Sequence, residues 1–239
     1  MPLKAASRAT LVGFFRALGD AMMTLVRGVI LLAPIGIPAL LLPVAAHAGA
    51  ALVGTIGLYI VTYSAACLFC VLLLYPVVAI AGGISMTKFA KAALPGQTIA
   101  LSSSSSVASL PALVRAAEVD LALPLDVTGF TLPLAAAMFK IAGPVTWTVG
   151  ALFVGWFYNV PLGVSALTTI GLASVFMAFA APGIPRGGFI LLAPLLVAVG
   201  LPAEGVGLLI AVDAIPDVFA TVLNATGYLA ATAVVAGRR

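Results

Sequence analysis

Charge is what this sequence has least of. Only 8% of its 239 residues are Asp, Glu, Lys or Arg, while 63% are hydrophobic. Soluble domains carry about a quarter charged residues, so a water-soluble fold is excluded: it could not hide this much apolar surface. Histidine is represented by His47 alone, at the boundary between two apolar stretches, and cysteine by Cys67 and Cys70. A structural zinc site needs about four ligands, so these residues do not supply one. The C-x-x-C spacing lies inside the apolar run AACLFCVLLLY, where it reads as two small buried residues of a membrane helix rather than redox chemistry. Met1–Asp20 is not expected to be a signal peptide, because it carries Lys4, Arg8 and Arg16 without a short apolar core and cleavage site. That segment reads as an amphipathic cytosolic lead-in.

What is present is apolar length. No charged residue occurs between Gly28 and Thr87, and further charge-free runs cover 92–114, 141–185, 187–203 and 218–237. A membrane-crossing helix needs about 20 apolar residues, so nearly the whole chain sits at bilayer depth. Orientation follows from the cations, since short cytoplasmic loops are enriched in Lys and Arg. Lys4, Arg8, Arg16, Arg27, Lys88, Lys91, Arg115, Arg238 and Arg239 all fall on one side, while the connections at 45–50, 158–163 and 200–205 hold neither Lys nor Arg. Both termini are therefore expected in the cytoplasm. This topology accounts for the net charge of +4 without nucleic-acid binding.

Along the chain, 21–46 and 51–82 read as ordinary spans, the first kinked by Pro34, Pro38 and Pro43. From Met86 two half-length apolar arms flank Ser102-Ser103-Ser104-Ser105-Ser106. Neither arm is long enough to cross, so the pattern predicts a re-entrant hairpin with a polar tip at mid-membrane depth. Next, 121–160 is a span broken at Phe139-Lys140-Ile141-Ala142-Gly143-Pro144. A second pair of short arms, 165–181 and 189–199, flanks the tip Pro182-Gly183-Ile184-Pro185-Arg186-Gly187-Gly188, and a long span follows over about 206–236. Hairpin then broken span occurs twice, as in inverted-repeat transporters. The expected fold is an all-α polytopic membrane protein with two re-entrant helical hairpins, organised as 1–20, 21–82, 83–160 and 161–239.

Within the last span, Asp213, Asp217, Thr221, Asn224 and Tyr228 are spaced so that they share an arc of about 80°. Aspartate inside a membrane costs at least about 2.5 kcal/mol, and such residues usually line a substrate or ion path. Asn224-Ala225-Thr226 also fits a glycosylation sequon, but it lies in an apolar segment out of that machinery's reach.

This last span, AVDAIPDVFATVLNATGYLAATAVVA, resembles the eighth transmembrane helix of the sodium:dicarboxylate symporter family of glutamate and aspartate carriers. SSSSSVASLPALVRAAE resembles that family's first hairpin, FTLPLAAAMF its seventh helix, PGIPRGG its second hairpin tip and LLAPIGIPALL its fifth helix. The resemblance implies that Asp217 binds a substrate ammonium. It further implies that Thr221 and Asn224 meet the main carboxylate, and that Ser104, Ser105 and Ser106 form a tip whose amides help hold it. An aspartate suits an ammonium, and amides and hydroxyls suit a carboxylate.

The departures are equally informative. Ala220 stands where the family has an arginine that clamps a side-chain carboxylate, while Arg186 occupies the second tip, where the family usually has glycine. Arg186 is therefore a candidate clamp from the lid side. Phe139-Lys140-Ile141-Ala142-Gly143 replaces the family's Asn-Met-Asp-Gly-Thr, and Tyr228 replaces an aspartate that helps bind sodium. Oxygen ligands are lost and an ammonium is gained, so Lys140 is expected to stand in for a bound cation, with sodium coupling altered or absent and proton coupling an option. No metal or cofactor is implied. The family has eight membrane helices, and this chain begins at about the fifth. The expectation is a symporter-like plasma (inner) membrane carrier for an amino acid or small dicarboxylate, a homotrimer once the first half is supplied. The alternatives are a truncated non-transporting fragment, or an enzyme resting on Asp213 and Asp217 alone.

Overall fold

A computed structural model describes residues 51–180 and 188–237, together with scattered helical positions before residue 36. The chain divides into two units, Met1–His47 and Ala48–Arg239. In the first unit Ala9–Phe14 is helical, and Thr24 Oγ1 donates to the carbonyl of Asp20 at 2.9 Å. Apart from the scattered helical positions, the expected lead-in and the 21–46 span, with His47, lie outside the described residues, as do Arg186 and the second tip up to Gly187.

Every regular element described in the second unit is helical: α1 (Ala51–Ala81), α2 (Met86–Ser103), α3 (Leu110–Arg115) running into a π-helical turn (Ala116–Asp120), α4 (Leu125–Met138), α5 (Ala142–Phe157), α6 (Val164–Ala180), α7 (Gly188–Ala198), α8 (Gly205–Val212) and α9 (Pro216–Gly237). Among the described residues, three stretches are long and apolar enough to cross a membrane: Gly54–Ala81, Leu125–Phe157 and Pro216–Gly237. The fold is all-α and of membrane type, because in hydrocarbon a helix is the open-ended element that satisfies its own backbone.

The breaks sit where helix-disrupting chemistry sits. α2 stops at Ser104, which adopts the left-handed conformation (φ 48°) and donates its N–H to the Ala100 carbonyl. The Leu125–Phe157 stretch is interrupted at 139–141, just ahead of Gly143-Pro144. The sequence also led us to expect one continuous last span over 206–236. Instead it divides into α8 and α9 around a turn at 213–215. Pro216 explains this: it has no N–H to give the Val212 carbonyl and disfavours helical geometry in the residue before it. Asp213 therefore ends α8 rather than opening the stripe of α9, although the Asp217 N–H still reaches the Asp213 carbonyl at 2.9 Å. The π-helical turn after α3 has no forewarning in the sequence that we can identify.

Helix α9 is the axis of the second unit. It packs against α1, α2, α4 and α5, and 67% of its span is buried, against 17% for the span in α1. The lipid-facing surface is accordingly on the outer helices, where Val61, Phe69, Leu72 and Ile80 of α1 are exposed. Close approach to α9 depends on missing side chains. A Cβ on Gly227 would lie 2.7 Å from Ile141 Cγ2, and one on Gly237 would lie 2.6 Å from the Gly82 carbonyl oxygen. Gly227 thus lets the 139–141 break press onto α9, and Ile141, being β-branched, has little freedom to turn away. Gly227→Val should therefore destabilise the protein by about 1–3 kcal/mol, as overpacking does, read as a lowered thermal midpoint in detergent. Gly129→Ala is the control, since nothing lies within 4 Å of a Cβ there, and it should leave the midpoint unchanged or raised.

Candidate functional site

The polar residues of α9 meet the broken span and the serine turn. Asn224 Oδ1 accepts the backbone N–H of Ala142 at 3.0 Å. Ala142 is the first residue of α5, and the opening N–H groups of a helix have no partner inside the helix. At bilayer depth water cannot serve them, so Asn224 does. This bond fixes the amide's orientation and leaves its Nδ2 protons as the donors presented elsewhere. Asn224 is half-buried.

One turn further along α9, Tyr228 is completely buried. Its hydroxyl lies 2.7 Å from Lys140 Nζ and 3.1 Å from Ser106 Oγ. An ammonium only donates, so Lys140 donates a hydrogen bond to Tyr228 Oη, and the phenol can in turn donate one to Ser106. The Lys140 ammonium also stands 5.3 Å from the centre of the Tyr228 ring, within cation–π range. Break, last helix and serine turn are thereby joined through a single phenol. The structure brings Lys140, Tyr228 and Ser106 together, three positions that lie far apart in sequence.

The serine turn is held largely by itself. Ser103 Oγ donates to the Ile99 carbonyl at 2.6 Å, Ser105 Oγ accepts the Ala108 N–H at 3.2 Å, and Ser109 Oγ donates to the Ser106 carbonyl at 2.7 Å. Ser104 is exposed, whereas Ser105 and Ser106 are half-buried. The amide of Ser104 is committed to Ala100, and that of Ser105 makes only a 3.3 Å contact with Ser103 Oγ.

Asp217 and Thr221 lie on α9 two turns and one turn before Asn224 respectively; Asp217 is half-buried and Thr221 buried. From Asp217 to Tyr228 the stripe measures about 16 Å at 1.5 Å per residue. Asp213 is buried at the turn before α9, and Ala220 is buried beside the stripe. Arg186 lies outside the described residues. Its segment resumes at Gly188, whose carbonyl accepts from Trp147 Nε1 of α5 at 3.0 Å. Among the described residues no cluster of three or more His, Cys, Asp or Glu could hold a metal ion, and Cys67 and Cys70 are free thiols on α1.

Reading the sequence alone missed Gln97. Its Nε2 donates to Tyr75 Oη at 3.1 Å and to Thr226 Oγ1 at 2.9 Å, tying α2 to α1 and α9. Thr226 passes the chain on, donating to the Val222 carbonyl at 2.7 Å. The available signal was a lone amide inside an apolar arm, which in hydrocarbon needs a partner. Thr146 was missed for a similar reason: its hydroxyl donates to the Ala142 carbonyl at 2.9 Å and meets that of Tyr63, joining α5 to α1.

The sequence is similar to those of known carriers. Excitatory amino acid transporter 3 of Oryctolagus cuniculus is 32% identical over 227 residues, 94% of this chain and 43% of its own length. The proton/sodium-glutamate symport protein of Bacillus subtilis is 28% identical over 217 residues, 90% of this chain and 50% of its own. The proton/glutamate-aspartate symporter of Escherichia coli is 27% identical over 235 residues, 98% and 53% of the two chains. The chain thus spans about half the length of the curated relatives it matches. The profile of the sodium:dicarboxylate symporter family, a family of carriers rather than catalysts, matches residues 3–238, and the chain belongs to that family.

Proposed function

We propose that this chain handles the solute in a secondary active carrier for an amino acid or small dicarboxylate. It works by alternating access, with the helix pairs over 86–120 and 164–198 as re-entrant gates. The observation that carries the reading is the polar stripe of α9, whose Asn224 and Tyr228 bond to the broken span and the serine turn. Inverted-repeat transporters bind their solutes where such discontinuous helices meet. Relatives named for glutamate and for glutamate and aspartate support a solute bearing an ammonium and one or more carboxylates.

In this reading Asp217 pairs with the ammonium. Thr221 and the Nδ2 protons of Asn224 donate to the main carboxylate, together with the hydroxyls of Ser104, Ser105 and Ser106 and the turn amides beyond that of Ser104, which is committed to Ala100. Arg186 at the second tip clamps a distal carboxylate in place of the arginine lost at Ala220. Lys140 supplies the positive charge that a coupling cation gives relatives, so sodium is dispensable and any coupling is to protons. The one-sided distribution of Lys and Arg supports cytoplasmic termini in a plasma (inner) membrane, and the family resemblance supports a homotrimer.

Asp217→Asn should abolish amino-acid binding to the purified protein. Retained amino-acid affinity would point instead to a dicarboxylate without an ammonium. Arg186→Ala should weaken acidic ligands by about 2–4 kcal/mol, as truncating a buried charge pair does, and spare neutral amino acids. Equal weakening of both classes would remove the clamp. Binding should be the same in sodium and potassium buffers of equal ionic strength, and Lys140→Met should weaken it in both. A tenfold tightening on adding sodium, about 1.4 kcal/mol of coupling, would overturn the role given to Lys140.

A further inference from the structure

At the end of α2 remote from the serine turn, a cavity of about 580 Å³ opens between α2 and α3, lined by Lys88, Lys91, Pro95, Ala112, Arg115 and Asp120. Ser104 is about 24 Å away along the helix at 1.5 Å per residue, so this is a second location and not part of the stripe on α9. Its three cations come from two elements: Lys88 and Lys91 from the start of α2, Arg115 from the last position of α3. Lys88 and Lys91 are three apart and so share one face of the helix. Asp120 is the one acid among the lining residues, leaving two uncompensated positive charges around the cavity. All four charged side chains belong to exposed residues.

The neighbouring surface is mainly apolar. Beside Lys88 and Lys91, the exposed face of α2 continues through Leu94 (61% exposed) and Thr98, whose hydroxyl is spent on the Leu94 carbonyl at 2.9 Å, to Leu101 (50%). Leucines exposed on a helix face of a membrane protein suit contact with acyl chains. The cavity therefore joins a cationic rim at the membrane–water boundary to a surface that an acyl chain can follow. A free inorganic anion would use the first half of this arrangement and nothing of the second.

We propose that this cavity binds the headgroup phosphate of an anionic phospholipid, with Lys88, Lys91 and Arg115 on the phosphate and the acyl chain along Leu94 and Leu101. Cationic recesses between membrane helices suit such headgroups, and the arginine can engage a phosphate through two N–H groups at once. Bound lipid would also hold α2 against α3 at their open ends.

The test uses the full chain in zwitterionic detergent, titrated with phosphatidylglycerol, phosphatidylcholine or inorganic phosphate. Retained lipid is read by native mass spectrometry and the thermal midpoint recorded. Phosphatidylglycerol should be retained and raise the midpoint, and phosphatidylcholine should do neither. Lys88→Gln/Lys91→Gln/Arg115→Gln should lower phosphatidylglycerol affinity about tenfold or more, and Asp120→Asn should tighten it about fivefold, in keeping with the contribution of single charges near an anionic lipid. The Asp120→Asn arm keeps the proposal testable should the triple variant fold poorly. Equal retention of the two lipids, an unchanged affinity in either variant, or displacement of the lipid by millimolar inorganic phosphate would overturn it.

Discussion

A backbone N–H or C=O buried in hydrocarbon has no water to fall back on, and leaving it unpaired costs several kcal/mol. Most of this chain meets that constraint by staying helical. The departures at 104–109, 139–141 and 213–215 are therefore the expensive positions, and named groups meet part of the cost at each. Asn224 caps α5 at Ala142, the serine hydroxyls close the turn after α2, and the Asp217 N–H bridges back to Asp213 across the gap Pro216 creates. Because α9 supplies two of these repairs, it must lie at the centre of the unit, and its burial follows from that duty.

The Lys140 ammonium near the serine turn is handled in the same way. Lys140 leaves α4 where the helix ends, and it meets a phenol oxygen rather than a carboxylate. A phenol is a weaker partner than an aspartate, yet it brings a ring face to the cation and a hydroxyl that can donate a hydrogen bond to Ser106. The hydroxyl thus serves three elements at once, which is why it is fully buried without being orphaned.

Much of this was legible in the sequence for identifiable reasons. Charge-free length fixed the membrane class, and Gly143-Pro144 and the serine run marked two of the breaks because those residues lower the cost of leaving the helix. Spacings of four, three and four put Asp217, Thr221, Asn224 and Tyr228 on one face of α9. The turn before α9 has its signal in Pro216, a residue that the apolar length of 206–236 hides. Contacts such as Gln97 with Thr226, or Asn224 with a backbone amide 82 residues away, depend on which helices become neighbours, and helical periodicity carries no information about that.

Lys140 differs from a dissolved ion in one respect that its hydrogen bonds do not reveal: it is covalently part of the chain. A charge that arrives with a solute and departs with it can be driven by its own concentration difference. A tethered ammonium goes out and comes back with the protein. In any closed cycle of alternating access, the work it does against a membrane potential on one leg, about 2.3 kcal/mol per 100 mV for a full crossing, is returned on the other. As long as it keeps its proton, this residue can change how fast such a cycle turns and how tightly it holds its cargo. It cannot by itself concentrate anything.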